Sequence, residues 1–117
     1  MSDIKEIVDA FVSFRDERDW RQFHTSKNLA LALSIEAAEV NELFLWKKDE
    51  EAEEVDKERL GEEIADVIAY TFMLAERQGL DIKDIVLKKI EKNKKKYPVE
   101  LSKGSSKKYT ELKKKFF

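Results

Sequence analysis

The chain has 117 residues, of which 42% are apolar and 41% are charged, and it contains three glycines, one proline and no cysteine. This length suits a single domain, and the lack of cysteine excludes a disulfide framework and any thiolate metal site. The scarcity of glycine and proline beside so many charged residues favours a helical protein with short connections. No signal-peptide segment opens the sequence and no apolar run approaches the roughly 18 residues of a membrane span, so we expect a cytoplasmic protein.

Charge is distributed unevenly along the chain, although the net charge is only −2. Residues 1–80 contain 10 Lys and Arg against 20 Asp and Glu, whereas residues 81–117 contain 13 against 5. A basic end on an acidic body is typical of a nucleic-acid-binding tail, or of one site where acids hold metal ions and lysines meet phosphates. Because the sequence pI of about 5.6 is far below that of a basic domain, nucleic-acid binding is disfavoured.

The spacing of apolar residues predicts two helices in the first half of the chain. The segment IKEIVDAFVSF places its apolar side chains on one face of a helix, and Asp3 and Glu6 fit a capping box at its start. A long second helix is predicted over residues 26–46, with Thr25 or Ser26 as its cap. Its first half, LALALSIEAA, is apolar almost all round, which indicates a helix buried on more than one side.

Two further helices are predicted after the charged link KKDEEAEEVD. Asp56 can cap a third helix, which reaches Gln78 and stops at Gly79 in a left-handed conformation. Asp81 caps a fourth helix, which ends before Pro98 because the residue preceding a proline avoids the helical region.

The predicted architecture is an all-α, four-helix bundle. The bundle occupies residues 1–98, and an extended basic C-terminal tail, residues 99–117, belongs to the same domain. Since four helices drawn from roughly 95 residues enclose only a thin core, we expect the protein to assemble as a homodimer or a dimer of dimers.

Acidic residues interrupt the apolar faces of the second and third helices. At about 100° per residue, Glu36 lies at the centre of one apolar stripe and Glu63 at the centre of the other. Glu39 and Asp66 each lie about 60° to the same side. An unpaired buried carboxylate costs several kcal/mol out of a total stability of roughly 5–15 kcal/mol, so the four acids need a partner.

Divalent cations are the most direct partner for these acids, although arginines or shared protons would also neutralise them. Oxygen ligands with no histidine or cysteine among them predict Mg²⁺, with Mn²⁺ as the alternative. A single acidic pair at this spacing is typical of a solvated helix face, so the metal interpretation depends on two pairs lying on two apolar faces. A di-iron centre is disfavoured, because it needs Glu-x-x-His on two helices and the only histidine, His24, is outside both motifs.

Cationic and aromatic residues indicate how a phosphate-bearing ligand would be held. Lys89, Asn93 and Lys96 share one face of the fourth helix, where they can meet an anion or form an ordinary solvated helix end. The sequence has no glycine-rich phosphate loop, so a nucleotide would be held by metals, lysines and aromatic side chains. The residues that could contact a base, or could instead serve only for packing, are Trp20, His24, Trp46 and Tyr70.

Several motifs in the right order resemble a known family. EAAE followed by EIAD and then KKIEKNKKKYP is similar to the MazG-type all-α nucleoside triphosphate pyrophosphohydrolases, whose metal motif is ExxE followed by ExxD. The segments ERDWRQFHTSKNL, ELFLWKKD, LGEEIADVIAYTFMLA and SSKKYTEL resemble the dCTP pyrophosphatase branch of that family. The resemblance covers roughly residues 14–112.

The resemblance implies hydrolysis of a (deoxy)nucleoside triphosphate between the α and β phosphates, in the service of nucleotide pool cleaning. It implies Mg²⁺ at a site shared between subunits. The mechanism that we favour is attack of a metal-bound water on the α-phosphorus, with Glu36 or Glu39 accepting its proton. The implied metal ligands are Glu36, Glu39, Glu63 and Asp66, the implied base pocket is Trp20, Trp46 and Tyr70, and the implied phosphate or sugar contacts are Lys89, Asn93, Lys96 and Tyr97. Vertebrate members have a histidine where this chain has Phe11, which borders the base pocket, so the resemblance leaves the base preference open.

Two other functions fit the residues alone. A non-enzymatic helical dimerisation module would pair the acids with lysines of a partner chain and would not depend on metal. A nucleic-acid-binding adaptor would use residues 88–115 and would bind in a salt-sensitive manner.

Overall fold

The computed structural model describes residues 2–107 and Thr110, and this part of the chain is helical and contains no strand. The predicted all-α class is therefore confirmed. The described residues form six α-helices, which are α1 (Asp3–Glu17), α2 (Ser26–Glu42), α3 (Asp49–Ala52), α4 (Lys57–Arg77), α5 (Ile82–Lys96) and α6 (Val99–Ser102), with a short 3-10 helix at Arg21–Phe23. Among them, no helix is long and apolar enough to cross a membrane.

The four long helices are the predicted ones, and local sequence signals set most of their ends. Asp56 caps α4, because its Oδ1 accepts hydrogen bonds from the amides of Glu58 at 3.0 Å and Arg59 at 3.4 Å. Gly79 stops the same helix at φ +67°, and the amide of Leu80 then donates to a carbonyl five residues back. Both features agree with the prediction.

Two predicted helix ends are wrong. The cap of α1 is Ser2, whose hydroxyl accepts a hydrogen bond from the amide of Lys5 at 3.1 Å, so the helix begins at Asp3 without the expected capping box. Helix α2 ends at Glu42 instead of residue 46. After Glu42 the backbone forms hydrogen bonds between residues three apart, such as the one from Phe44 N to Asn41 O at 3.0 Å, and the α-helix does not continue.

The charged link and the C-terminal tail each contain a four-residue helix that was not predicted. The link after α2 includes α3, and the C-terminal tail begins with α6. The tail beyond residue 107 lies outside the described residues, apart from Thr110, which is helical.

The internal contacts of the chain divide it into two compact units, the first ending at Asp81 and the second beginning at Ile82. The assignment of both to one domain therefore remains a prediction. In the second unit, α5 carries an apolar stripe that is substantially exposed: Ile85, Val86 and Ile90 are 37%, 49% and 45% exposed.

In the first unit, α4 packs against both α2 and α1. Helix α2 runs antiparallel to α4, since the side chain of Gln78 at the end of α4 donates to Ser26 Oγ at the start of α2 at 2.6 Å. Helix α1 runs parallel to α4. The Phe11 and Phe72 rings pack edge-on with their centroids 6.4 Å apart, and one turn later on both helices Arg15 donates a hydrogen bond to Glu76.

The core of this unit is thin, as expected from the chain length. Its buried apolar side chains are Leu29, Leu43, Val55, Met73 and Ala75. Large apolar side chains on α2 and α4 are left exposed, among them Leu31 at 57%, Ile35 at 53%, Ile64 at 43% and Ile68 at 37%. Apolar exposure on this scale favours association with another chain, although the homo-oligomer itself remains a prediction.

Candidate active site

Three carboxylates from two helices meet between α2 and α4. Glu36 and Glu39 lie one turn apart on α2, and Glu63 faces them from α4. One carboxylate oxygen from each lies within 4.8 Å of the others, and all three side chains are partly buried. Asp66, one turn beyond Glu63, is exposed, but its negative charge still acts on Glu36. The structure thus brings together three of the four acids that helical spacing singled out, with Asp66 one turn away.

The electrostatics of this carboxylate cluster, defined as Glu36, Glu39, Glu63 and Asp66, are unfavourable without a counter-charge. Burial, hydrogen bonding to Glu39 and the neighbouring negative charges raise the pKa of Glu36 to about 7. The pKa of Glu63 is also raised, mainly by hydrogen bonding to Glu39. The positive charge of Arg59 partly opposes this shift. In addition, Oε2 of Glu36 and Oε2 of Glu63 are buried and receive no hydrogen bond from the described residues.

The cluster fits a hard divalent cation. Its donors are carboxylate oxygens only, which Mg²⁺ and Mn²⁺ accept and softer metals do not prefer. Glu36 Oε2 and Glu63 Oε2 are buried and receive no hydrogen bond from the described residues, so both oxygens are available as ligands for a cation. The described residues therefore form an acidic cluster that is able to hold a metal ion.

An aromatic row adjoins the cluster, and we define it as Trp20, His24 and Tyr70. The His24 ring lies 6.3 Å from the Trp20 ring and 6.4 Å from the Tyr70 ring, measured between centroids. Tyr70 lies one turn beyond Asp66 on α4, and burial followed by the charge of Glu36 raises the pKa of its phenol. The row therefore begins where the carboxylates end.

A buried arginine, which sequence reasoning missed, supports this row. Arg15 is 4% exposed, and it donates from Nε to Asp16 at 2.8 Å and from Nη1 to Glu76 at 3.1 Å. Its carbonyl oxygen accepts a hydrogen bond from the amide of Trp20 at 3.1 Å. Burial and then the charge of Arg15 lower the pKa of His24, which favours the neutral form of its imidazole. The signal was available, because Arg15 follows Phe11 by four residues on the apolar stripe of α1.

Trp46 does not join the aromatic row in this chain. It lies after the end of α2, is 92% exposed and has a φ of +65°. In the described part of the chain its ring makes no aromatic contact. It lines a separate cavity of about 450 Å³ with Phe44 and Leu45.

The remaining predicted substrate contacts belong to the second unit. Lys89 is exposed, Asn93 and Lys96 are partly buried, and all three lie on α5. Tyr97 follows the helix, is 38% exposed and donates its amide to the carbonyl of Asn93 at 2.8 Å. Their part in substrate binding remains a prediction.

A second cavity adjoins the carboxylate cluster on the side away from the aromatic row. It has a volume of about 430 Å³, and Glu39 and Glu63 form part of its lining. Lys47 and Arg59 also line it, and sequence reasoning assigned no role to either. The position of Arg59, one turn before Glu63 on the same helix, was the available signal.

Comparison with known proteins agrees with the resemblance seen in the motifs. The MazG-like family matches residues 31–112, a span that includes both acidic motifs. dCTP pyrophosphatase 1 of Bos taurus is 42% identical over 93% of this chain and 68% of its own length, and that of Mus musculus is 44% identical over 93% and 67%. The crystal structure of a pyrophosphatase from Archaeoglobus fulgidus superposes with a TM-score of 0.79 at 40% identity, covering 84% of this chain and 94% of that one. This chain belongs to the MazG-like family.

Proposed function

We propose that this protein hydrolyses a (deoxy)nucleoside triphosphate, dCTP-like or a modified nucleotide, between its α and β phosphates. The products are a nucleoside monophosphate and pyrophosphate, and the cofactor is Mg²⁺ or, in its place, Mn²⁺. The observation that carries the proposal is the meeting of three carboxylates within 4.8 Å between α2 and α4. Membership of the MazG-like family and the relatives named dCTP pyrophosphatase 1 support this class of reaction.

The carboxylate cluster would hold the metal through Glu36, Glu39, Glu63 and Asp66. When bound there, a divalent ion supplies neutralisation of phosphate charge and activation of water. The protein's own part is to hold the acids in place on two packed helices and to accept a proton. Glu36 or Glu39 takes that proton from the water that attacks the α-phosphorus.

The aromatic row would receive the base. Trp20 is 42% exposed, so part of its ring is open to a ligand, and Tyr70 connects the row to the carboxylates. Stacking on an aromatic face tolerates different bases, because each has a π-face. The preferred base then depends on the groups that border the pocket, including Phe11, which packs edge-on against Phe72.

Trp46 and the α5 residues would complete the pocket in an oligomer. The exposed apolar side chains on α2 and α4 support assembly as a homodimer or a dimer of dimers. A highly exposed tryptophan such as Trp46 is suited to contributing to the site of a neighbouring subunit. Such an enzyme would remove non-canonical or modified nucleotides from the pool.

The test is a product analysis with each common dNTP and NTP and with 5-substituted dCTP, with and without Mg²⁺. We expect metal-dependent release of a monophosphate and pyrophosphate. Glu36→Gln and Asp66→Asn should abolish turnover while the protein remains folded. Glu62→Gln is the matched control, because Glu62 is exposed and lies next to Glu63 outside the cluster. Orthophosphate as the only inorganic product, or normal turnover by the cluster variants, would contradict the proposal.

A further inference from the structure

No step of the proposed reaction uses the cavity of about 430 Å³ beside the carboxylate cluster. It continues from Glu39 and Glu63 towards the end of α2 and the start of α4. Leu43 and Val55, both buried, form its apolar lining, and Lys47 and Arg59 are its cations. Its walls therefore include two of the proposed metal ligands and two cations.

The antiparallel packing of α2 and α4 arranges three chemically different regions in a line. On α4, Tyr70 of the aromatic row lies one turn beyond Asp66, and Arg59 lies one turn before Glu63. The eleven residue-to-residue steps from Arg59 to Tyr70 span about 16.5 Å along the helix axis. The order is therefore aromatic row, carboxylates and cations, over a length similar to that of an extended nucleoside triphosphate.

We propose that this cavity receives the pyrophosphate end of the substrate, with Lys47 and Arg59 contacting the β and γ phosphates. The proposal rests on the proposed function, because it places the base on the aromatic row and the α-phosphorus at the carboxylates. In the reaction, the water oxygen bonds to the α-phosphorus and its proton passes to Glu36 or Glu39. The bond from that phosphorus to the bridging oxygen breaks, and the electron pair leaves with the pyrophosphate in the cavity.

The two cations are free to take up phosphate. Within the part of the chain that the structure describes, neither Lys47 nor Arg59 forms an ion pair. Arg59 nevertheless lies within electrostatic reach of the carboxylates, since its charge opposes the rise in the pKa of Glu63. Arginine presents several donors that match phosphate oxygens, and lysine acts as a point charge.

The charge of the cavity makes anion binding depend on metal. Its lining also includes Glu42 and Asp56, so four acids stand against two cations. Free pyrophosphate should therefore bind weakly, because the net charge of the lining is negative. A divalent cation held by Glu39 and Glu63 would bring the net charge of the lining to zero and would supply a further positive charge for phosphate oxygens.

The test measures pyrophosphate binding directly, by isothermal titration of the full chain with and without Mg²⁺. We expect Lys47→Gln/Arg59→Gln to weaken Mg²⁺-dependent pyrophosphate binding by about tenfold or more, as for the loss of charge-assisted contacts. Lys48→Gln/Arg77→Gln is the matched control, because it removes the same charge at exposed positions that do not line the cavity. Binding of the nucleoside monophosphate should be unchanged in both double variants.

Several results would overturn the assignment. Equal pyrophosphate affinity in the two double variants, from an enzyme that releases pyrophosphate normally, would reject the cavity and leave the proposed reaction intact. If Lys47→Gln/Arg59→Gln weakened monophosphate binding and left pyrophosphate binding unchanged, the cavity would hold the nucleoside end of the substrate and not its pyrophosphate end. A wild-type protein that turns over no triphosphate would reject the proposed function, and with it the role of the cavity in that reaction.

Folding of the variants can be separated from binding. Far-UV circular dichroism and thermal unfolding would check each double variant. If Lys47→Gln/Arg59→Gln proves unstable, Arg59→Lys and Arg59→Gln provide a second comparison at one position. We expect the lysine variant to bind pyrophosphate more tightly than the glutamine variant, and equal affinities would reject a contact through Arg59.

Discussion

Arg15 on α1 donates a hydrogen bond from Nη1 to Glu76 Oε2 on α4 at 3.1 Å, with the arginine side chain only 5% exposed. The guanidinium also binds Asp16, so its charge is paired on two sides. Because the Arg15 carbonyl accepts the amide of Trp20, this one residue joins α1, α4 and the segment that carries the aromatic row. A buried cation of this kind has a structural role that an exposed ion pair lacks.

Replacing Arg15 should therefore destabilise the fold. We expect Arg15→Ala to lower the free energy of unfolding by about 2 kcal/mol, through lost packing of the buried side chain and lost charged hydrogen bonds. The exposed Lys5–Asp9 pair at 2.8 Å supplies the control, and Lys5→Ala should change stability by less than about 0.5 kcal/mol. Urea unfolding of both variants measures the difference, and similar losses would contradict the structural role of Arg15.

Metal binding should stabilise the protein independently of turnover. A ligand that binds only the folded state raises its stability with concentration, so Mg²⁺ and Mn²⁺ should each raise the Tm of the wild type. Glu63→Gln should abolish most of this shift, since it removes a central ligand of the carboxylate cluster. Thermal unfolding in EDTA and in millimolar Mg²⁺ makes the measurement, with Glu62→Gln as the control. A wild-type Tm that does not respond to either ion would argue against a metal in the cluster.

Without metal, stability should fall as the pH rises. The folded-state pKa of Glu36 is raised from 4.5 to about 7, so the unfolded chain loses this proton first. The unfolded state therefore binds fewer protons across that interval, and the free energy of unfolding decreases from about pH 4.5 until Glu36 is ionised above about pH 7. The raised pKa of Glu63 acts in the same direction.

Urea unfolding in EDTA between pH 5 and pH 8 would measure this slope. His24 contributes the opposite sign, because its lowered pKa means that stability is lost as the pH falls below its ordinary value of 6.5. Comparison with Glu36→Gln isolates the carboxylate contribution, and the variant should show a flatter profile. An identical slope in wild type and variant would mean that Glu36 is not the group responsible.

Local signals explain why most of the fold could be predicted. Asp56 and Gly79 determine the two ends of α4 through their own hydrogen bonds and backbone conformation. Helical periodicity placed Glu36 and Glu63 on inner faces, where both are now found partly buried. The end of α2 could not be predicted, because the apolar residues of LFLW continue the helical pattern beyond the point where the helix stops at Glu42.

The missed residues depend on which elements meet in space. The stripe of α1 indicated that Arg15 faces inward, but its pairing with Glu76, 61 positions away, depends on α1 packing against α4. Lys47 and Arg59 share a cavity because the link between α2 and α4, which contains the buried Val55, brings the chain after α2 close to the start of α4. The direction of the Trp46 ring depends on the positive φ of this residue, a backbone conformation that is rare for a residue other than glycine and that the sequence does not indicate.

Trp20 should contribute to nucleotide affinity through base stacking. Aromatic stacking contributes roughly 1–3 kcal/mol per base, so Trp20→Ala should raise the KM for the preferred triphosphate by about 5- to 160-fold. Phe23→Ala is the control, because Phe23 is nearby, is 61% exposed and makes no ring contact among the described residues. Steady-state kinetics with dCTP would compare the two. Equal effects on KM would mean that Trp20 acts through general packing of the segment.

Trp46 should contribute to ligand binding at the expense of stability. A non-glycine residue in the left-handed region is strained by roughly 1–2 kcal/mol, and at 92% exposure the ring gains little from packing within its own chain. We therefore expect Trp46→Gly to raise the free energy of unfolding by about 1 kcal/mol and to raise the KM for the nucleotide. Trp46→Phe, which keeps both an aromatic ring and the strain, should retain wild-type stability and most of the affinity. A loss of stability in Trp46→Gly with an unchanged KM would show that the tryptophan packs against protein and takes no part in the base pocket.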